Sequence, residues 1–253
     1  SKSMQAKYRR RHRTKMDEVW RGNMKDFIGE TFIPEELCDK LIKLHEDIPW
    51  MSDEVRPDEK GVVDVFPIIK QRGRAGKGSY SPHIKTSVDV GISPICIYQP
   101  KRVNQVFWPY LETIQKYFLE IEKAIYVYFS DIGMHSPELK GSVGWGFSEH
   151  TSLQEVIQIQ KYEPNEGYFS WHFERANDRV AMSRELVFMT YLNDVPDGGT
   201  HFYSQKRLIK AEKGKTVIWP AGFTHVHKGQ ISKKHIKYIA TGWINWHDNK
   251  QTD

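Results

Sequence analysis

A chain of 253 residues is long enough to bury a sizeable core, and its 8 Trp, 12 Tyr and 12 Phe supply the apolar bulk for one. The formal net charge of +5 is concentrated at one end: residues 1–15 hold seven Lys and Arg and no acid, which leaves the rest slightly acidic. No apolar run approaches the roughly 18 residues of a membrane-spanning helix and no signal-peptide pattern opens the sequence, so the expectation is a soluble, cytoplasmic protein with no membrane partner.

In chain order, residues 1–15 read as a basic arm, either a solvated terminus or a contact for nucleic acid or another polyanion. Thr31 or Pro34 opens a helix with Glu35 and Glu36 in its first turn; Leu37, Leu41, Ile42 and Leu44 mark its apolar face, and Pro49 stops it. Val62 to Ile69 reads as a strand. Lys70 to His83 mixes cations and glycines and reads as a flexible loop, a substrate-facing lid or plain surface. Thr86 to Ile95 alternates as a strand, and Phe107 to Phe129 carries Leu111, Ile114, Phe118, Ile121 and Ile125 at helical spacing. Cys38 and Cys96, one in a helix and one in an apolar run, read as buried free thiols.

From Leu153 the period changes to two. Strands follow at Leu186 to Leu192, around Phe202, at Thr216 to Trp219 and at Ile236 to Trp243, with Asp197-Gly198-Gly199 as a turn signal between two of them. Many short strands without interleaved helices predict a mainly β, antiparallel jelly-roll (double-stranded β-helix) barrel with the N-terminal helices packed outside. The division is a basic arm at 1–15 and one domain at 16–253, in which 16–150 supports a core at 151–247.

Within that core, His172 and Glu174 stand two residues apart, so on an extended strand both side chains point the same way. A second histidine, His225 or His227, follows roughly fifty residues later. Two imidazoles and one carboxylate on one face of a metal leave the opposite positions open, the ligand set of non-haem Fe(II) oxygenases. Lys237 lies ten residues past His227 inside an apolar run. A cation there needs an anion, and a dicarboxylate co-substrate supplies one.

The order H-x-[D/E], a Gly-Gly turn before Thr-x-Phe, then H-x9-K resembles the Fe(II)/2-oxoglutarate dioxygenases of the prolyl 4-hydroxylase type, over about 90 residues from Leu153 to Trp246. Glu174 stands where that group usually has Asp, and a residue more often separates its Gly from Thr. The resemblance implies that His172, Glu174 and His227 are the catalytic iron ligands, His227 being chosen over His225 because it alone has the group's spacing to the lysine. It implies that Lys237 takes the distal carboxylate of 2-oxoglutarate, with Tyr162, and with Thr241 assisting. Trp243 matches the tryptophan that follows the lysine in the group. Tyr168, Trp171, Arg184 and Trp243 would line the mouth, His225 would lie behind the metal or on the substrate side, and His201 beside Thr200 is another candidate near the metal, with a structural histidine at the turn as the favoured reading.

The cofactors so implied are Fe(II), 2-oxoglutarate and O2, with ascorbate as an optional accessory. The expected reaction is hydroxylation of a C–H bond of a free or peptidyl amino acid, or of a protein, with proline favoured by resemblance. The alternatives are a nucleic-acid-modifying oxygenase, to which the arm and the Lys70 to His83 loop would belong, and a non-catalytic binding barrel.

Overall fold

The computed structural model describes residues 26–50, 67–73, 80–132 and 151–246. The basic arm lies outside them, as do most of the expected Val62 to Ile69 strand and residues 74–79 of the expected loop.

The elements in order are β1 (Gly29–Phe32), α1 (Glu35–Asp47), β2 (Ile68–Arg72), β3 (Lys85–Thr86), β4 (Val88–Ile92), α2 (Ile95–Tyr98), α3 (Trp108–Asp131) and β5 (Thr151–Ser152). Then come β6 (Ile157–Tyr162), β7 (Gly167–Tyr168), α4 (Arg179–Met182), β8 (Arg184–Tyr191), β9 (Val195–Phe202), β10 (Arg207–Ala211), β11 (Lys215–Pro220), β12 (His227–Gly229) and β13 (Lys237–Trp246). The large sheet runs β1-β11-β8-β13-β6-β4-β2, with β5 also on β13; the small sheets are β10-β9-β12 and β3-β7. The strand pairs are antiparallel. The architecture is the expected mainly β fold with helices outside.

Alternation along the large sheet builds two cores. Ile157, Ile159, Phe188, Ile218, Ala240 and Ile244 face the helices and join Leu37, Leu41 and Leu44 of α1 and Ile114, Phe118 and Ile121 of α3. The intervening residues Tyr162, Val187, Met189, Tyr191, Val217, Trp219 and Ile239 face the small sheet and pack with Val195, Phe202 and Ile209. One face of the sheet is thus closed by helices, and the other is free to enclose a cavity. No helix among the described residues is long and apolar enough to cross a membrane.

Helix α1 starts after Pro34 with Glu35 and Glu36 in its first turn and ends at Ile48, where the following Pro49 disfavours the helical conformation. Cys38 and Cys96 are free and buried, and burial pushes both thiols up, to about 11 and about 12.

Three expectations need correction. Asp197-Gly198-Gly199 is not a turn but the middle of β9; the chain reverses later, at residues 203–206. The glycines serve close approach instead, since a Cβ at Gly199 would lie 2.3 Å from the Ile209 carbonyl oxygen across the β9–β10 pair. Lys70 is not in a loop: it belongs to β2, is buried, and donates to the His45 carbonyl at 2.8 Å. Thr31, one of the two expected helix starts, lies instead in an edge strand, Gly29–Phe32, on β11; the helix starts after Pro34.

Candidate active site

Strand β13 is the axis of the site. Its inward row is Lys237, Ile239, Thr241 and Trp243, and its register with β6 sets Tyr162 beside Lys237, Gln160 beside Ile239 and Gln158 beside Thr241. With Met189 and Tyr191 of β8 and Trp219 of β11 these side chains line a cavity of about 610 Å³.

At one end of it three metal-ligating side chains converge. His172 forms an isolated antiparallel bridge with His227, the first residue of β12. The backbone nitrogens of Glu174 and Arg175 both donate to the Ala221 carbonyl, at 3.1 and 3.0 Å, which holds the carboxylate against the bridge. The ring Nδ1 of His172 lies 2.9 Å from the Ser170 carbonyl oxygen, and that of His227 lies 2.9 Å from the His225 carbonyl oxygen. A carbonyl only accepts, so Nδ1 carries the proton in both rings and Nε2 is left with its lone pair. Each Nε2 lies 3.4 Å from Glu174 Oε1, and the ligand atoms of the three residues all fall within 4.8 Å of one another. Two lone pairs and a carboxylate oxygen at that spacing call for a cation between them. The donor set of two imidazoles and one carboxylate on a single side fits ferrous iron with its remaining positions free.

Burial by itself would raise the Glu174 carboxyl, but a cationic partner outweighs it: with Nε2 of His172 and His227 also protonated, the carboxyl is held well below the usual carboxylate range. The second carboxylate oxygen is braced. The Trp243 indole donates to Oε2 at 3.1 Å, and Arg184 Nη1 stands 3.7 Å from it. Arg184 also donates to the Glu174 carbonyl at 2.9 Å, is gripped through Nε and Nη2 by Glu155, and lies 3.8 Å over the Trp243 ring. Tyr168 stacks on His172 at 3.9 Å.

Lys237 is only 6% exposed and donates to the carbonyls of Gln230 at 2.9 Å and Gly198 at 3.3 Å, with the Tyr162 ring 5.2 Å from its ammonium. No carboxylate lies within ion-pair distance of it among the described residues. Burial pushes it down to about 8, and Asp197 offsets this only in part. A Cβ at Gly198 would lie 2.4 Å from Val195 Cγ1 and 3.2 Å from Lys237 Cδ, so the glycine keeps clear of both side chains.

The structure therefore brings together His172, Glu174, His227, Lys237, Tyr162, Thr241, Tyr168, Arg184 and Trp243 around one cavity. Their detailed contacts refine the expectations. The Tyr162 hydroxyl donates to Gln160 Oε1 at 2.6 Å, and Thr241 Oγ1 to the Phe188 carbonyl at 3.0 Å, so each faces the cavity only as an acceptor. Arg184, expected at the mouth for substrate, is committed to Glu155 and Glu174.

His225 does not reach the cavity. Residues Phe223–His225 form a 3-10 turn, so the two-residue alternation linking it to His227 fails there; its Nε2 bonds instead to the Asp26 carbonyl at 2.9 Å. Trp171 turns away from the cavity and meets Tyr203 edge-on at 5.3 Å, lining a separate shallow cleft with His201, which sits in β9 rather than at a turn.

Sequence reasoning missed the polar wall formed by Gln158, Gln160, Lys85 and Asp89, and the buried Tyr191–Thr200 hydroxyl pair at 2.6 Å. The alternation of Gln158, Gln160 and Tyr162 was the available signal for the first.

A jelly-roll sheet carrying a His-Glu-His cluster and a buried cavity lysine defines a candidate metal-dependent oxygenase. Residues 157–245, which hold the cluster and the lysine, match the model of the 2OG-Fe(II) oxygenase superfamily. That family uses Fe(II), 2-oxoglutarate and O2.

The fold resembles that of a viral collagen prolyl hydroxylase from Paramecium Bursaria Chlorella virus-1 in complex with 2OG (TM-score 0.51, 17% identity, 87% of this chain and 97% of that one). A Pseudomonas putida prolyl-4-hydroxylase is similar at TM-score 0.51 and 14% identity, over 87% of this chain and 93% of that one. A Trichoplax adhaerens prolyl hydroxylase in complex with a hypoxia inducible factor oxygen degradation domain peptide fragment is similar at TM-score 0.55 and 10% identity, over 91% and 89%. The architecture is thus prolyl 4-hydroxylase-like. No curated protein sequence matches the chain.

Proposed function

We propose that the chain hydroxylates a C–H bond of a free or peptidyl amino acid, coupled to oxidative decarboxylation of 2-oxoglutarate to succinate and CO2. The observation that carries this is the pairing, in one cavity, of the His172–Glu174–His227 cluster with a buried Lys237 ammonium that has no carboxylate partner among the described residues. His172, Glu174 and His227 hold the metal, and Lys237 takes the distal carboxylate of the co-substrate, supplying the anion that its burial requires. When bound, ferrous iron with 2-oxoglutarate and O2 supplies the oxidising power for the C–H step.

The chain's own residues position the reactants. Ser170 and His225 carbonyls fix both imidazoles in the tautomer that points Nε2 inward. Trp243 and Arg184 orient the carboxylate, and Tyr168 covers His172. The Lys237 ammonium fixes the direction in which a dicarboxylate enters, with its far end deep and its reacting end at the cluster.

An amino-acid or peptide substrate is supported by the prolyl hydroxylase architecture, including a neighbour that holds a peptide. The nucleic-acid alternative drew on the Lys70 to His83 stretch, of which Lys70 is buried in β2, and on the arm outside the described residues. The non-catalytic alternative is disfavoured by a complete donor set. We also take residues 16–253 as one domain, with 151–247 as its metal-binding core. Incubation with Fe(II) and 2-oxoglutarate under air tests the reading: succinate should form in the wild type and not in His172→Ala.

A further inference from the structure

The wall of the cavity made by β4 and β6 is polar, and its hydrogen-bond acceptors can be accounted for one by one. Asp89 Oδ2 accepts from Lys85 Nζ at 2.6 Å and Oδ1 from Ser87 Oγ at 2.7 Å, in a buried cluster. Gln160 Oε1 accepts from the Tyr162 hydroxyl. Gln158 Oε1 is buried and has no hydrogen-bond partner among the described residues. Burying an acceptor without a donor is costly, so a cavity that does so is shaped for a ligand that brings one.

The co-substrate cannot be that ligand. At neutral pH 2-oxoglutarate is a dianion with acceptors only, and O2 has no donor either. Trp219 Nε1, the other unpartnered buried side-chain polar atom that lines the cavity among the described residues, is a donor and suits a carboxylate; Gln158 Oε1 does not.

Position agrees with this division. Register places Gln158 beside Thr241, one inward step along β13 from Trp243 and its bond to Glu174, whereas the co-substrate's anchor Lys237 sits beside Tyr162 at the opposite end. Gln158 therefore belongs to the metal-cluster end, where the oxidised substrate must lie.

We propose that Gln158 reads an N–H donor on the substrate, and that the residue oxidised carries that donor in its own side chain, as an amide, ammonium, guanidinium or imidazole. This rests on the dioxygenase reading above and narrows it away from a peptidyl prolyl ring, which has no N–H. A site built around one buried hydrogen bond rejects the analogue lacking it by far more than a shape mismatch would.

The test uses blocked tripeptides, acetyl-Gly-X-Gly-amide, with X = Lys, Arg, Asn, Gln or His against X = Pro, Leu or Met. Oxidation is read as a gain of one oxygen by mass spectrometry, and binding by calorimetry under nitrogen. At least one donor-bearing peptide should be oxidised with kcat/KM about tenfold or more above every donor-free one, and should bind more tightly in the same sense. Gln158→Leu should erase that preference in both readouts, and Gln158→Glu, which keeps the acceptor, should retain it. Oxidation confined to donor-free peptides, oxidation of no donor-bearing peptide, or an unchanged preference in Gln158→Leu would overturn the assignment. Consumption of 2-oxoglutarate without peptide separates the two readings: its loss from the wild type sinks the dioxygenase reading, while its persistence in these outcomes sinks only the role of Gln158.

Discussion

His172 and His227 are tied to each other through the main chain: each backbone N–H donates to the other's carbonyl, at 3.1 and 2.8 Å, and the ring centroids lie 4.3 Å apart. The pairing of the two imidazoles is set by backbone geometry rather than by whatever sits between them.

Because the bridge uses backbone atoms, removing either ring should leave the fold intact. His172→Ala and His227→Ala are expected to lose bound iron and 2-oxoglutarate turnover by at least about a thousandfold, with circular dichroism unchanged. Iron content by absorption spectrometry and succinate formation check this. Full activity in His227→Ala would remove it from the ligand set.

Lys237→Met removes the buried ammonium. The affinity for 2-oxoglutarate should fall about 100-fold or more, since the distal carboxylate would then be buried unpaired. The same substitution should stabilise the unliganded protein by on the order of 1–3 kcal/mol, because the free lysine is desolvated without a carboxylate partner. Calorimetric binding and denaturant midpoints would show the opposite signs. Equal losses in both would make Lys237 a structural residue.

The depressed Lys237 pKa, about 8 against the ordinary 10.5, gives a pH signature. Below pH 8 both folded and unfolded forms carry the proton. Between about 8 and 10.5 the unfolded chain holds a proton that the folded one has lost, so this group makes the unliganded protein more stable as pH rises across that window. Co-substrate binding runs the other way: it needs the ammonium, so affinity should be level below pH 8 and fall up to about tenfold per unit above it. A flat profile to pH 9.5 would contradict the assignment.

Trp243→Phe keeps the ring stacked against Arg184 but deletes the N–H that holds Glu174 Oε2. Iron affinity should drop about tenfold to 100-fold, the usual effect of losing a group that orients a ligand, with little change in thermal stability. Competition with a metal-binding dye measures it.

Gly199→Ala places a methyl 2.3 Å from the Ile209 carbonyl and 2.9 Å from Gln230 Oε1. The β9–β10 pairing must part, at a cost of about 1–3 kcal/mol, and the melting temperature should fall by several degrees. An unchanged melting temperature would mean the strands can separate freely.

What the sequence made legible and what it hid divide on physical grounds. The cluster and Lys237 were readable because their spacing survives folding: His172 and Glu174 converge although their segment is no strand and pairs only at the single His172–His227 bridge, and β13 runs unbroken from Lys237 to Trp246. His225 was misplaced because a 3-10 turn interrupts the alternation between it and His227. The Gly198-Gly199 pair looked like a turn because glycine marks both reversals and close approaches, and only the opposing strand tells them apart. The brace through Arg184 and Glu155 joins residues 29 apart in sequence, and no local pattern encodes such a partnership.

Strand β13 carries both the ammonium and the indole that steadies the carboxylate, six residues apart on one face. At about 3.3 Å per residue that is a rod of roughly 20 Å, clamped on both flanks by β6 and β8. Such a rod acts as a ruler: the ammonium and the indole keep a set separation, because moving either would drag the whole strand and its two neighbours with it.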